Sequence, residues 1–353
     1  MKAWVLHGIN DLRYETVDNP TLSDNEVLVA VRAAGICGSD IPRIYRIGTY
    51  SYPLIPGHEF SGIVTECGEA VDRCLTGARV GVFPLIPCGE CAPCRNRRYE
   101  MCRHYSYLGS RRAGGFAEYV AVPAENLIRL PDNVTFEEAA MFEPMAVAVH
   151  AIRQVTFFDT DTIVVCGLGT IGLLVLMFLL EKRNSSSHRI LVIGNKDFQR
   201  RIVGQMGLSP ECYCNSRKQD AHKWVMEHTK GQGADVFFEC VGKNDTVTQA
   251  VDTAAPAGRI VLVGNPASDM VFDKAVYWKL LRNQLTVKGT WNSSFTGESD
   301  DDWNYVLDRL SRKQIDPAVL ITHRFALDDL EQGLRIMLNK EEEYCKVMGV
   351  FEK

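Results

Sequence analysis

Short apolar runs broken by Gly and Pro dominate the first 150 positions of the chain. Glu26-Val27-Leu28-Val29-Ala30-Val31-Arg32, Gly62-Ile63-Val64 and Ala78-Arg79-Val80-Gly81-Val82 each predict a strand, and together they predict a β-rich domain. The pattern changes near residue 150. Strand-like runs at 162–166, 189–194, 235–239, 259–264 and 285–289 then alternate with helix-length segments. Such alternation predicts a parallel sheet with helices on its faces, so the expected class is α/β with a doubly wound second domain. Two helical stretches, 301–311 and 327–340, follow in a tail expected to return to the first domain. The expected division is 1–148, 149–292 and a C-terminal segment 293–353, and 353 residues suit more than one core. The apolar stretch 171–180 is too short for a membrane span and predicts a buried helix. The polar run 184–188 reads as a loop.

Charge and cysteine content narrow the function. A formal net charge of −5 argues against a broad nucleic-acid surface. Met1-Lys2-Ala3-Trp4 leads into a strand-like run and not the apolar stretch of a signal peptide. The expectation is a cytoplasmic protein with a small-molecule substrate, without nucleic-acid or membrane partners. Twelve cysteines in such a chain favour metal ligation wherever they cluster. Cys67, Cys74, Cys166, Cys212, Cys214, Cys240 and Cys345 are scattered and read as small core residues or unpaired thiols.

The apolar run Ile163-Val164-Val165-Cys166 enters Gly167-Leu168-Gly169-Thr170-Ile171-Gly172, a GxGxxG turn between a strand and an apolar helix. In a dinucleotide site Gly167 permits the tight turn, Gly169 admits the pyrophosphate and Gly172 lets helix and strand pack closely. The helix N-terminus, at Thr170 and Ile171, offers N–H groups to phosphate. The second strand of such a unit commonly ends in an acidic residue that binds the ribose 2′-hydroxyl. Here it ends in Gly194-Asn195-Lys196, with Arg200 and Arg201 close behind. Absence of the carboxylate and presence of cations predict NADP(H) over NAD(H).

Cys88, Cys91, Cys94 and Cys102 follow a C-x2-C-x2-C-x7-C spacing. Four thiolates within fifteen residues can close a tetrahedral zinc shell, leaving no open position, so a structural zinc is expected. Three isolated segments offer further donors: Cys37 before Gly38-Ser39-Asp40, His58-Glu59 after Pro56-Gly57, and Glu143 before Pro144. One Cys, one His and one Glu suit a catalytic zinc with an open fourth position, although the spacing alone does not join them.

With these motifs the chain resembles the zinc-containing medium-chain alcohol dehydrogenases over nearly its whole length. The resemblance implies a GroES-like β-rich catalytic domain followed by a Rossmann domain, and two Zn2+ per chain. It implies Cys37, His58 and Glu143 as catalytic-zinc ligands, with Glu59 also able to bind the metal, and the four-cysteine loop as the structural site. Ser39 stands where the family keeps a hydroxyl that relays the alcohol proton while hydride passes to the nicotinamide. A homodimer or homotetramer is implied as well. Within the family the chain is most similar to the galactitol-1-phosphate 5-dehydrogenase and sorbitol dehydrogenase-like polyol dehydrogenases. The runs 37–44, 84–88, 109–119 and 289–294 carry that similarity. Gly194 is the departure, since NAD-using relatives have Asp there.

A polyol phosphate would need cations. Arg43, Arg111 and Arg112, with Arg46 nearby, are the candidates, because guanidinium binds phosphate bidentately. Two alternatives share the motifs. One is an NADPH-dependent reductase of simple aldehydes or ketones, or a secondary-alcohol dehydrogenase. The other is a zinc-stapled nucleotide-binding protein without turnover.

Overall fold

The structure, a computed structural model, describes residues 1–183, 188–266 and 268–351. Most of the polar run 184–188 lies outside the described residues. The chain divides into two compact units, Met1–Ala146 with Ser293–Lys353, and Val147–Asn292.

The first unit is built on a seven-stranded mixed sheet. Its central strand, Glu26–Ile36, is buried at every position but Arg32, which explains its nearly unbroken apolar character. Antiparallel neighbours flank it: Glu59–Cys67 and Tyr119–Pro123, and near its C-terminal end Lys346–Val350. The tail contributes the strands Ile321–Phe325 and Lys346–Val350, which pair in parallel with each other. Neither was expected from the sequence. The tail helices, Asp302–Ser311 and Leu330–Asn339, lie within the stretches read as helical. The first begins at Asp301, whose side chain accepts from Asn304 N–H at 2.8 Å and caps the helix. Trp4 is buried in this unit, and its indole N–H donates to the Leu327 carbonyl at 2.6 Å.

Register decides what meets at one end of this sheet. Gly35 lies opposite Glu59 on one side and Met348 on the other, while Ile36 faces Val347. Cys37, Glu59 and Lys346 therefore converge, although they come from three separate parts of the chain.

The second unit holds a six-stranded parallel sheet in the order Tyr213–Asn215, Arg189–Gly194, Thr162–Cys166, Ala234–Glu239, Ala254–Leu262, Thr286–Gly289. The chain starts at the third of these and runs outward in both directions, which makes the sheet doubly wound. Tyr213–Asn215 was not expected, since three residues are too few to show a period. The order reverses between Thr162–Cys166 and Ala234–Glu239, and the glycine-rich turn follows the first of these strands. The helix Thr170–Arg183 after it is almost wholly buried at its apolar residues. Among the described residues no helix is long and apolar enough to cross a membrane.

Candidate active site

At the convergence point, ligand atoms of Cys37, His58 and Glu59 all lie within 4.8 Å of one another. Glu143 does not supply one of these three mutually close ligand atoms, but its carboxyl lies near enough for the charges of His58 and Glu59 to act on it. It sits on the helix Phe142–Arg153, and its Oε1 accepts from the Tyr107 hydroxyl at 3.1 Å. Glu59 enters because it opens the strand that pairs with Gly35, directly after His58. Its carboxylate forms an ion pair with Lys346, both groups closed to solvent. Lys346 also donates to the Ile36 carbonyl at 3.2 Å. Ser39 lies in the turn after Cys37 and donates its hydroxyl to Cys37 Sγ at 3.3 Å.

Asp40, fully buried, organises this turn. Its Oδ2 accepts from Cys37 N–H at 3.0 Å and its Oδ1 from Arg43 at 2.9 Å. The same Oδ1 stands 3.4 Å from His58 Nδ1, which has no other polar partner. A carboxylate on Nδ1 leaves Nε2 as the donor nitrogen, the usual arrangement behind a metal-bound histidine. Burial opposes charge on the His58 ring, yet Asp40 and Cys37 raise its proton affinity well above the usual range. Burial raises the Glu143 carboxyl, His58 opposing and Glu59 reinforcing the shift. The pocket therefore attracts positive charge where thiol, imidazole and carboxylate meet. That donor set fits Zn2+.

The four-cysteine loop has the dimensions of a zinc shell. Sγ–Sγ separations are 3.4 Å for Cys91–Cys94 and 3.9 Å for both Cys88–Cys94 and Cys91–Cys102. Zinc–sulfur bonds of about 2.3 Å in a tetrahedron require edges of about 3.8 Å. None of these cysteines is in a disulfide. N–H groups at Arg103 and Cys94 draw the Cys91 thiol down to about 6, whereas burial pushes Cys94 up to about 12.

In the second unit Gly167 has φ +95, a conformation that favours glycine. A Cβ on Gly172 would collide with the Gly167 carbonyl, so the helix can approach the turn only with glycine there. A Cβ on Gly169 would meet nothing within 4 Å. That open side of the turn, beside the N-terminal end of a 14-residue helix at Thr170 and Ile171, suits an anionic phosphate. Gly194 closes the second strand, with Asn195 exposed and the Lys196 ammonium 5.4 Å from the Phe198 ring centroid.

The arginines are unequal. Arg43 is paired with Asp40 and Arg112 with Glu26. Arg111 instead lies against two rings, 4.0 Å from the Tyr50 centroid and 4.6 Å from that of Tyr105. Tyr105 packs edge-on to Tyr107, and Tyr107 to His58. Among the described residues neither Arg46 nor Arg111 has a carboxylate partner. Asp40, Tyr107 and Lys346 were not singled out from sequence. Asp40 alone left a local signal, three residues after Cys37.

Two family models match in chain order: the alcohol dehydrogenase GroES-like domain over residues 23–132 and the zinc-binding dehydrogenase over 170–312. Galactitol 1-phosphate 5-dehydrogenase of Escherichia coli K12 is 32% identical over 311 residues, covering 88% of each chain. A zinc-binding dehydrogenase from Sinorhizobium meliloti 1021, solved bound to NADP, superposes with TM-score 0.88 at 27% identity, covering 99% of this chain and 98% of its own. An alcohol dehydrogenase from Escherichia coli CFT073, complexed with NADH, gives TM-score 0.88 at 29% identity and 99% coverage of each. The chain thus belongs to the zinc-binding alcohol dehydrogenases, NAD(P)-linked oxidoreductases acting on CH–OH donors.

Proposed function

We propose that this enzyme oxidises a secondary alcohol carbon of a polyol phosphate, of the galactitol 1-phosphate type, with NADP preferred over NAD. The observation that carries the substrate reading is Arg111. Of the three arginines first in line for a phosphate, Arg43 and Arg112 are neutralised by Asp40 and Glu26. Arg111 is held by ring stacking, which orients a guanidinium without using its N–H groups. Its contacts run through Tyr105 and Tyr107 to His58, so an extended substrate has a continuous aromatic wall to follow. Similarity to galactitol 1-phosphate 5-dehydrogenase supports the same class.

Cys37 and His58 would hold the catalytic zinc, with Glu59 and Glu143 as the carboxylates available for a further position. Cys88, Cys91, Cys94 and Cys102 would hold the structural one. When bound, the catalytic ion supplies a Lewis acid for the alcohol oxygen and the nicotinamide supplies a hydride acceptor. Asp40 fixes the His58 ring. Ser39, with its hydroxyl at the Cys37 sulfur, accepts the substrate proton and passes it outward. NADP preference rests on Gly194, which removes the acidic side chain, and on Lys196 beside it.

The deciding comparison is kcat/KM for a hexitol phosphate and for the free hexitol, with saturating NADP and zinc, in wild type and Arg111→Ala. About a tenfold or larger preference for the phosphate, lost in the variant mainly through KM, is expected. Equal use of both substrates would move the assignment to free polyols or simple carbonyls.

We also propose that two copies associate through the free side of Thr286–Gly289. That strand ends the parallel sheet, and all four of its residues are exposed. Val287 within it is exposed, as are Trp291 just after it and Tyr277, Trp278 and Leu281 on the helix that precedes it in sequence. An exposed strand edge with large apolar side chains close to it in sequence is a liability unless covered, and a second copy offers a self-complementary cover.

A further inference from the structure

Gln199 is buried in the first turn of the helix Asp197–Gln205, and its amide bonds to backbone on both its oxygen and its nitrogen. Its Oε1 accepts from Asn195 N–H at 2.9 Å and from Lys196 N–H at 3.1 Å. Its Nε2 donates to the Leu168 carbonyl at 2.8 Å. Leu168 belongs to the glycine-rich turn, and Asn195 and Lys196 follow the second strand. One side chain thus ties the turn suited to the pyrophosphate to the segment that faces the adenosine ribose in this fold.

Gly194 is confined by the same side chain. A Cβ there would lie 2.6 Å from Gln199 Oε1, 2.7 Å from the Tyr213 hydroxyl and 2.9 Å from Tyr213 Cε2. Neither neighbour can retreat without loss. Gln199 holds three hydrogen bonds, and the Tyr213 hydroxyl donates to the Lys196 carbonyl at 2.7 Å. Occupied space, and not backbone conformation, therefore opposes a larger residue at 194, since these side chains must shift to admit it.

We propose that Gln199 is a specificity-determining residue for the dinucleotide. As a neutral amide it fills the volume that an acidic side chain at 194 would need, and so keeps a carboxylate away from the ribose 2′ position. The proposal rests on the dinucleotide reading of the glycine turn and adds a consequence that Gly194 alone does not carry. A Cβ at 194 meets Gln199 Oε1 first and Tyr213 next, so cutting back residue 199 removes the nearer obstacle and leaves only the Tyr213 ring to shift for an aspartate. In Gly194→Asp, Gln199 or Tyr213 must move, releasing the N–H groups of Asn195 and Lys196 and distorting the site for both nucleotides.

The test uses the full-length enzyme with zinc present. It measures kcat/KM for NADP and NAD, and the Kd of each by fluorescence titration, in wild type, Gly194→Asp, Gln199→Ala and the double variant. Gly194→Asp should lose about tenfold or more with both nucleotides, and the double variant should regain about tenfold with NAD alone, a coupling that independent sites would not show. A nucleotide preference reversed by Gly194→Asp alone, with the double variant equal to the product of the singles, overturns the proposal. Should Gly194→Asp unfold, Gln199→Glu decides. It keeps an acceptor for both N–H groups and leaves Gly194 in place, but gives up the Nε2 donor to the Leu168 carbonyl and adds an anion, so both affinities should drop and the NADP/NAD ratio should fall about tenfold. An unchanged ratio overturns the proposal. A wild-type chain that binds neither nucleotide overturns the dinucleotide reading itself, and this proposal with it.

Discussion

Glu59 and Lys346 stand 287 positions apart and form an ion pair that solvent does not reach. Each opens a strand flanking Gly35, where a Cβ would overlap both the Glu59 carboxylate and the Lys346 side chain. Truncating one member of such a pair leaves the other charged and buried, at a cost of about 3–5 kcal/mol. Lys346→Met should therefore lower the urea midpoint by that equivalent with an unchanged m-value. Glu59→Gln in the same chain should restore part of the loss. A single variant within about 1 kcal/mol of wild type would show that the pair does not anchor this end of the sheet.

Asp40 touches Cys37 N–H, Arg43 and, at longer range, His58. Removing its charge in Asp40→Asn weakens the orientation of two donors together. Affinity for zinc at this cluster should fall about 10–100-fold, read by competition with a chelator. The four-cysteine loop should keep its metal. Unchanged affinity would reduce Asp40 to a packing role.

The sulfur tetrahedron makes a separable demand. Cys94→Ser replaces one corner of a shell with Sγ–Sγ edges of 3.4 to 3.9 Å. Zinc content by atomic emission should drop by one ion per chain, with an earlier thermal transition. Full zinc content in this variant would mean that the loop is not a zinc site.

Leu281 lies on the exposed face of the helix Lys274–Arg282, with Tyr277 and Trp278. Leu281→Glu places a charge in the proposed contact between copies. Sedimentation velocity should show the wild type as an assembly and the variant shifted toward a single chain. A wild type that sediments as one chain ends that reading.

How much of this was legible beforehand follows from sequence distance. The turn Gly167–Gly172 and the cysteine loop are each written within fifteen or so residues, so their spacing carries their geometry. Helix periodicity and the alternation after residue 150 are equally local, and they identified the parallel sheet. The donor cluster is different. Cys37, Glu59 and Lys346 meet because Glu26–Ile36 is paired on both sides in one register, and a shift of one residue would turn each side chain to the opposite face. The sequence offered two carboxylates, Glu143 as an implied zinc ligand and Glu59 as a further one. Only tertiary packing sends one to the cluster with Lys346 and the other to Tyr107. It likewise neutralises Arg43 and Arg112 and leaves Arg111 stacked between rings. Short-range spacing determines which chemistry the chain can hold, because bonded geometry constrains neighbours directly. Strand register and burial determine which of several like side chains is placed to perform it, because those depend on contacts made only when distant segments fold together.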